Sequence, residues 1–360
     1  MKKKKTLFFF LLIALLVVGL FACSCSGVEE GAVDEGGEEA AEGEEEPAEE
    51  EAGEEEVFTI RLVVPSGAGD ELTVKDEEMA ERFNERVEGF EIKVYPGGSL
   101  VNVPEFLDAV RTGAVEMMDA APPIFAGAEP RFNAVILPYL FETGEALYAA
   151  APELVELYNP IFEEQFNQKL LTLFFVGSFD LFNTKRTVKT PEDLNGLLIG
   201  APDPGIAATV EVLGGTPITV AWPDFYSSLD KGVIDGVLNS PNGTINNSLT
   251  DMCKYYTELL VPPGVNVITI NLDVWNSMPE DAQQALLEEA QATGNTASEH
   301  YIQQHEKDVE TLRELGLEIT ILSEEELQVF KDRCEPFTNE MLESYGEFGE
   351  QIKEIADKYR

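Results

Sequence analysis

The chain has 360 residues, with 68 Asp and Glu against 24 Lys and Arg, a formal net charge of −44. That balance excludes the basic footprint that nucleic-acid binding requires. Four cysteines and two histidines are present without any CxxC spacing. His300 and His305 are five residues apart on a helical stretch, so they point about 140° apart and cannot share a metal. No metal and no cofactor is expected.

The start of the chain sets the compartment. Lys2 to Lys5 form a basic patch, and an unbroken apolar run covers 7–22. A charged start, a short apolar segment and small residues at its end make an export signal. The run falls short of the roughly 20 residues of a membrane-spanning helix, which sets aside the rival reading of an uncleaved anchor. Leu20-Phe21-Ala22-Cys23 resembles a lipobox, with Phe21 bulkier than usual there. Cys23 is the expected lipidation site; Cys25 is the poorer acceptor. Lipid chains on Cys23 would hold the protein at a membrane. The expected signal peptide is 1–22.

An acidic tether, 23–56, comes next. Between 24 and 56 lie 16 Glu and Asp and no Lys or Arg. Such a segment cannot bury a core, and its charges repel. Setting aside these carboxylates and the four signal lysines leaves −32 for 57–360. Cys253 and Cys334 remain in the folded part, either as a disulfide, which an oxidising compartment permits, or as two buried thiols.

The remainder is long enough for two modest lobes. Residues 57–64 alternate and read as a strand, 71–87 carries Leu72, Met79, Phe83 and Val87 at helical spacing, and 90–95 is a second strand. A helix is expected at 103–112, with Phe106 and Val110 on one face, and a strand at 114–118. The pattern then returns. Strands are expected at 170–175, 180–183 and 197–199. A helix at 206–213, a strand at 218–220 and another at 265–272 follow. A long helical tract over 279–315, weakened at Gly294, precedes a last strand at 317–321 and terminal helices over 323–359. Strand–helix alternation argues an α/β fold with a parallel or mixed sheet. The expected crossings between lobes are 183–185 and 261–265. The lobes are then 57–179 plus about 268–318, and 180–267 plus about 319–360.

Catalytic signatures are scarce. No HExxH, nucleophile elbow or P-loop appears, and Gly67-Ala68-Gly69 lacks the third glycine of a dinucleotide loop. The shortage favours binding over catalysis.

Three stretches carry a family resemblance: 95–140 (YPGGSL…PEFLDAVRTGAVEM…LPYL), 185–202 (KRTVKTPEDLNGLLIGAP) and 213–241 (LGGTPITVAWPDFYSSLDKGVIDGVLNSP). With NLDVWNSMPEDAQQAL, they resemble the solute-binding receptors of TRAP transporters, the tripartite ATP-independent periplasmic systems, of the DctP type. The resemblance covers nearly all of 57–360. It implies a two-lobe, periplasmic-binding-protein-like fold (type II-like) with a hinge and an interlobe ligand cleft. It implies a non-enzymatic receptor, a monomer by family default, that hands a small organic solute to the transporter's membrane subunits. A sensory module for a signalling partner and an enzyme on the same scaffold are the alternatives.

The resemblance also directs attention to particular residues. In the family, an Arg that pairs with a substrate carboxylate usually follows the strand after the TPEDLNG turn; here that position is Gly200. A second Arg often lies two residues after the glycine matching Gly177; here it is Phe179. A dicarboxylate held in the usual way is therefore not expected. Trp222 and Phe179 are expected to wall the cleft, and Asn239 to orient the ligand, unless Asn239 merely caps the next helix. Tyr226 is a further candidate ligand contact, although its helical spacing also suits inward packing. Gly232 should end its helix as a left-handed cap, and Asp235-Gly236 should form a tight turn aiming Asn239 at the cleft. Arg131, Lys185 and Arg186 are candidate substitute cations. Asp180 or Asp203 could instead meet an amine.

Overall fold

The computed structural model describes residues 57–360. The export signal, Cys23 and the acidic tether lie outside the described residues.

β1 (Phe58–Val63) leads into α1 (Glu71–Arg86), which Asp70 starts by accepting from the Leu72 amide. α1 turns Met79, Ala80 and Phe83 inward at helical spacing. β2 (Phe90–Tyr95) pairs in parallel with β1, Phe58 opposite Phe90. A 3-10 turn at Val103–Glu105 precedes α2 (Phe106–Arg111), which buries Phe106 and Val110. β3 (Met117–Ala120) lies on the other side of β1, again parallel. The strand starts later than expected because Ala114 and Val115 still close the helix end, both amides reaching the Ala109 carbonyl.

The sequence reading left the next 50 residues largely unassigned. There, α3 (Pro123–Ala126) is one turn, and α4 (Gly144–Phe166) is a 23-residue helix capped by Thr143. Pro152 and Pro160 lie inside α4. Proline ordinarily marks a helix end, which hid this element. Burial outweighs it: Phe125, Phe132, Tyr158, Phe162 and Phe166 form one aromatic cluster, Phe132 stacking on Tyr158 at 5.2 Å. β4 (Gln168–Ser178) follows, and a single residue, Phe179, separates it from β5 (Asp180–Asn183).

The order of the first unit then recurs as β6 (Leu198–Ala201), α5 (Pro204–Leu213), β7 (Thr216–Thr219), a 3-10 turn at Trp222–Asp224, α6 (Phe225–Asp230) and β8 (Gly236–Asn239). β6 lies parallel between β7 and β8, as β1 does between β2 and β3. The likeness reaches single residues. Pro104 and Pro223 sit second in the 3-10 turns, and Phe225 and Leu229 are buried like Phe106 and Val110. Gly113 and Gly232 follow the two helices at φ 72° and 68°, a left-handed conformation that glycine adopts without strain. Glu116 and Asp235 accept from the Arg61 and Leu198 amides of the neighbouring strand. Asp235-Gly236 is therefore a strand entry and not the expected tight turn. A Cβ at Gly236 would lie 2.3 Å from the Phe182 carbonyl oxygen.

α7 (Pro241–Asn246) and β9 (Tyr255–Glu258) precede β10 (Pro263–Asn271), which runs antiparallel between β3 and β4. α8 (Leu272–Ser277) is short, whereas α9 (Glu280–Glu314) continues unbroken for 35 residues. Gly294 does not weaken it: a Cβ there would come 2.6 Å from Thr172 Oγ1, so glycine lets α9 lie close on β4. β11 (Glu318–Ile321), α10 (Glu324–Ser344) and α11 (Glu347–Lys358) end the chain.

Two mixed sheets result, β2-β1-β3-β10-β4 and β11-β9-β5-β8-β6-β7. This is the α/β class expected from the strand–helix alternation, in the two-sheet form that the family resemblance implies. The crossings differ from those expected. The first is at Phe179, because β4 keeps its pairing with β10 as far as Ser178 and β5 pairs with β8 from Asp180. The segment 183–185 lies at the far end of the second sheet. The second crossing is Leu259–Pro262, and all of β10 belongs to the first sheet. The lobe bounds at 268 and 319 shift accordingly. α9 serves both lobes, with Leu286 and Ala290 in a first-sheet cluster and Val309 and Leu312 in a second-sheet cluster. α10 packs Phe330 and Cys334 on the second sheet, but α11 returns Phe348 and Ile352 to the first lobe. The hydrophobic faces of these helices are similar in composition, so sequence pattern could not assign them to a lobe.

Candidate functional site

In open α/β sheets, ligands sit at the carboxyl ends of parallel strands. In the second lobe that end carries Ala201, Thr219 and Asn239. Asn239 is 7% exposed, and its side-chain amide makes no hydrogen bond to any of the described residues. It is not the cap of the next helix: Ser240 fills that role, its hydroxyl accepting from the Gly243 amide at 3.1 Å. The Asn239 amide lies over Gly243, where a Cβ would come 3.1 Å from its Oδ1. An amide that no protein group engages has donors and an acceptor free for a guest.

Trp222 stands at the start of the 3-10 turn beyond β7 and is 42% exposed. Phe179, half-buried at the first crossing, meets it edge-on at 5.7 Å and 78°. Phe225 backs it at 4.9 Å. The structure thus brings Trp222 and Phe179 together, as two walls of one aromatic corner.

Gly200 and Tyr226 stand elsewhere. A Cβ on Gly200 would lie 2.9 Å from Ile234 Cδ1 and 3.0 Å from Phe225 Cε1. Position 200 therefore faces the lobe core, and these two side chains occupy the space into which a larger residue would emerge. Tyr226 is 41% exposed and does not pack inward. Phe225 and Leu229, four residues apart, take the buried face of α6.

Asp203 caps α5. Its Oδ1 accepts from the Gly205 and Ile206 amides at 2.8 and 3.0 Å, and burial raises its pKa against the pull of those two bonds. Gly205 faces the first lobe, with Ile136 Cδ1 and Asn133 Oδ1 within 3.4 and 3.6 Å of its virtual Cβ. Asp203 thus stands at the boundary between the lobes. Asp180 does not. It is fully buried and accepts from the Leu259 and Leu260 amides and the Tyr256 hydroxyl, each at 2.8 Å. It braces the second crossing, where Leu260 holds a left-handed φ of 56°.

The three candidate substitute cations are committed to other partners. Arg131 grips Glu129 through both Nε and Nη2 at 2.8 and 2.7 Å, holding that carboxyl down to about 2. Arg186 donates to the Asp193 and Asn195 carbonyls. Lys185 pairs with Asp235 at 3.1 Å. Lys185 and Arg186 also follow Asn183, at the end of β5 opposite Asn239.

Sequence reasoning missed the rear of the site. Gly177 brings β4 close to both Ser240 and Tyr301, 3.7 and 3.9 Å from its virtual Cβ. Tyr301 lies midway along α9, and nothing in that polar stretch singles it out. A separate groove of about 190 Å³ lies between the 138–142 segment and α10. Its cations are already paired, Lys331 and Arg360 with Glu142 and Lys353 with Asp357. Cys253 and Cys334 are free, buried thiols in different clusters, and burial pushes both up to about 12.

Comparison with known proteins identifies the family. Residues 67–344 match the family model DctP, the bacterial extracellular solute-binding proteins of family 7. The chain is 24% identical over 288 residues to the C4-dicarboxylate-binding periplasmic protein of Rhodobacter capsulatus, covering 78% of this chain and 84% of that protein. It is 26% identical over 247 residues to the 2,3-diketo-L-gulonate-binding periplasmic protein of Escherichia coli, covering 67% and 75%. Among solved structures, a TRAP periplasmic solute-binding protein of Desulfovibrio desulfuricans with bound sn-glycerol-3-phosphate superposes with a TM-score of 0.77 at 19% identity, over 84% of this chain and 97% of that one. A Bordetella pertussis receptor binding pyroglutamic acid gives 0.75 at 19% identity, over 84% and 100%. The chain belongs to the DctP family and is an extracytoplasmic, TRAP-type receptor for small organic solutes, a binding protein rather than an enzyme.

Proposed function

We propose that this receptor captures its solute between the two sheets and hands it to the membrane subunits of a TRAP transporter. Trp222 and Phe179 supply the apolar walls, Asn239 the orienting hydrogen bonds, and Asp203 a polar contact at the lobe boundary. Gly200 contributes by absence, and Tyr226, exposed four residues after Trp222, offers a further polar contact. The observation that carries this reading is the Trp222–Phe179 corner at the carboxyl ends of the second sheet, where Asn239, opposite Asp180, keeps a side-chain amide that none of the described residues engages. Closure of the lobes about Phe179 and the 259–262 segment would bury the solute and mark the loaded state for the transporter. Lipid chains on Cys23 would keep the receptor at the membrane.

Calorimetry with the solute that co-purifies with the protein tests this. Saturable one-to-one binding is expected, with the solute recovered unchanged after prolonged incubation. Trp222→Ala should weaken binding by about tenfold or more, the loss expected of a central aromatic anchor. Appearance of a product, or unaltered affinity in both Trp222→Ala and Asn239→Ala, would overturn it.

A further inference from the structure

We infer that the cleft takes an organic cation, an ammonium, amidinium or guanidinium solute without a carboxylate, held against Trp222 with Asp203 as its counter-charge. This rests on the receptor reading above and adds the ligand's charge.

The charged side chains that could hold an anion in the second lobe are removed or occupied, which leaves only neutral donors such as the Asn239 amide. Position 179 carries a phenyl ring turned onto Trp222. Position 200 has no side chain, and Phe225 and Ile234 leave no room for one. The amides at the start of α5 are a further anion-binding feature there, and Asp203 Oδ1 accepts from two of them. In the first lobe, the matching helix α1 is likewise capped by its own carboxylate, Asp70. Arg131, Lys185 and Arg186 are all held by other groups. An anionic solute would be desolvated beside Asp203 with no cation to meet it.

The same residues suit a cation. The face of an exposed indole attracts ammonium and guanidinium groups, and Trp222 is braced by two further rings. Asp203 keeps one carboxylate oxygen, Oδ2, that accepts from none of the described residues. The free Asn239 carbonyl oxygen can accept from an N–H donor.

The test uses the intact chain with two probe panels in calorimetry and thermal shift. One panel is tetramethylammonium, choline, agmatine and acetamidine; the other is succinate, glucuronate and pyroglutamate. Native mass spectrometry of gently purified protein identifies any solute it already carries. One-to-one binding of a cationic probe, or a cationic co-purified solute, is expected. Affinity for that molecule should fall by about tenfold in Asp203→Asn, a change that keeps the helix cap because Asn caps as well as Asp. One-to-one binding of a carboxylate, or an anionic or neutral co-purified solute, overturns the inference and leaves the receptor reading standing. No binding from either panel together with no co-purified solute counts against the receptor reading itself.

Discussion

Replacing Asp180 with alanine is expected to cost about 3–5 kcal/mol of folding stability, the range for unpairing a buried, hydrogen-bonded carboxylate. The carboxylate is fully buried and collects two backbone amides and a tyrosine hydroxyl. Alanine would leave all three donors without a partner, away from water. The amide of Leu260 matters most. That residue is left-handed without being glycine, and such a conformation persists only where its surroundings over-determine it. Asp180→Asn keeps the shape and one accepting oxygen, while its new N–H₂ can donate to the Tyr256 oxygen. Its cost should be only about 1–2 kcal/mol. Urea unfolding of both variants checks this. Equal costs for Ala and Asn would mean that Asp180 does not brace the crossing. Asp180 is adjacent to Phe179, so a loosened crossing should also disturb the Trp222 corner and lower solute affinity in the Ala variant.

A second large effect concerns a pair of acids under the first sheet. Asp119, on β3, accepts from Asn266 Nδ2 at 2.7 Å, and Asp76, on α1, neighbours it. Both are 1% exposed, and Asp76 Oδ2 has no hydrogen-bond partner. Burial raises Asp119 to about 7, although Asn266 and Asp76 draw it down. Burial, then the neighbouring Asp119 charge, raises Asp76 well above the usual carboxylate range. The folded protein therefore keeps protons that the unfolded chain releases near pH 4. Stability falls as pH rises from about 4 through about 7, where Asp119 loses its proton, and Asp76 adds to the loss as it ionises. Asp76→Asn removes one titrating group and supplies a donor to Asp119. It should be nearly neutral at pH 5 and stabilising at pH 8, where the folded wild type must hold two buried charges. Denaturant midpoints across pH 4–9 measure the difference. A variant that is destabilised at pH 8 would show that the pair is not strained by its own charge.

Much of the fold was legible in the sequence because two signals agree over most of it. Period-2 strands and period-3.6 helices alternate, and punctuating glycines such as Gly113 and Gly232 sit where helices must stop. The TPEDLNG turn behaves as read: Thr190 and Asp193 form a reciprocal cap with Pro191 in the first turn. α4 was invisible because its prolines argue against a helix while its packing, a tertiary property, argues for one. The crossings were misplaced because they are marked by a change of strand partner, which no local pattern reports. For the proposed site, the resemblance points to Trp222, Phe179 and Asn239, and the structure brings Trp222 and Phe179 together. Gly200 was judged by alignment alone, and only the rings of Phe225 and the side chain of Ile234 show why that position is closed. Tyr226 was placed inward on helical spacing, but α6 is too short to bury more than one face. Tyr301 and Ser240 came from elements far apart in the chain, joined at Gly177 by close approach.

A crystal structure of the receptor carrying its co-purified solute is the most direct examination. The molecule should lie on the indole of residue 222, hydrogen-bonded to the side-chain amide of residue 239, with atoms of both lobes around it. A guest seated against one sheet alone, or remote from that indole, would contradict the claim that this protein works by enclosing a solute between its halves.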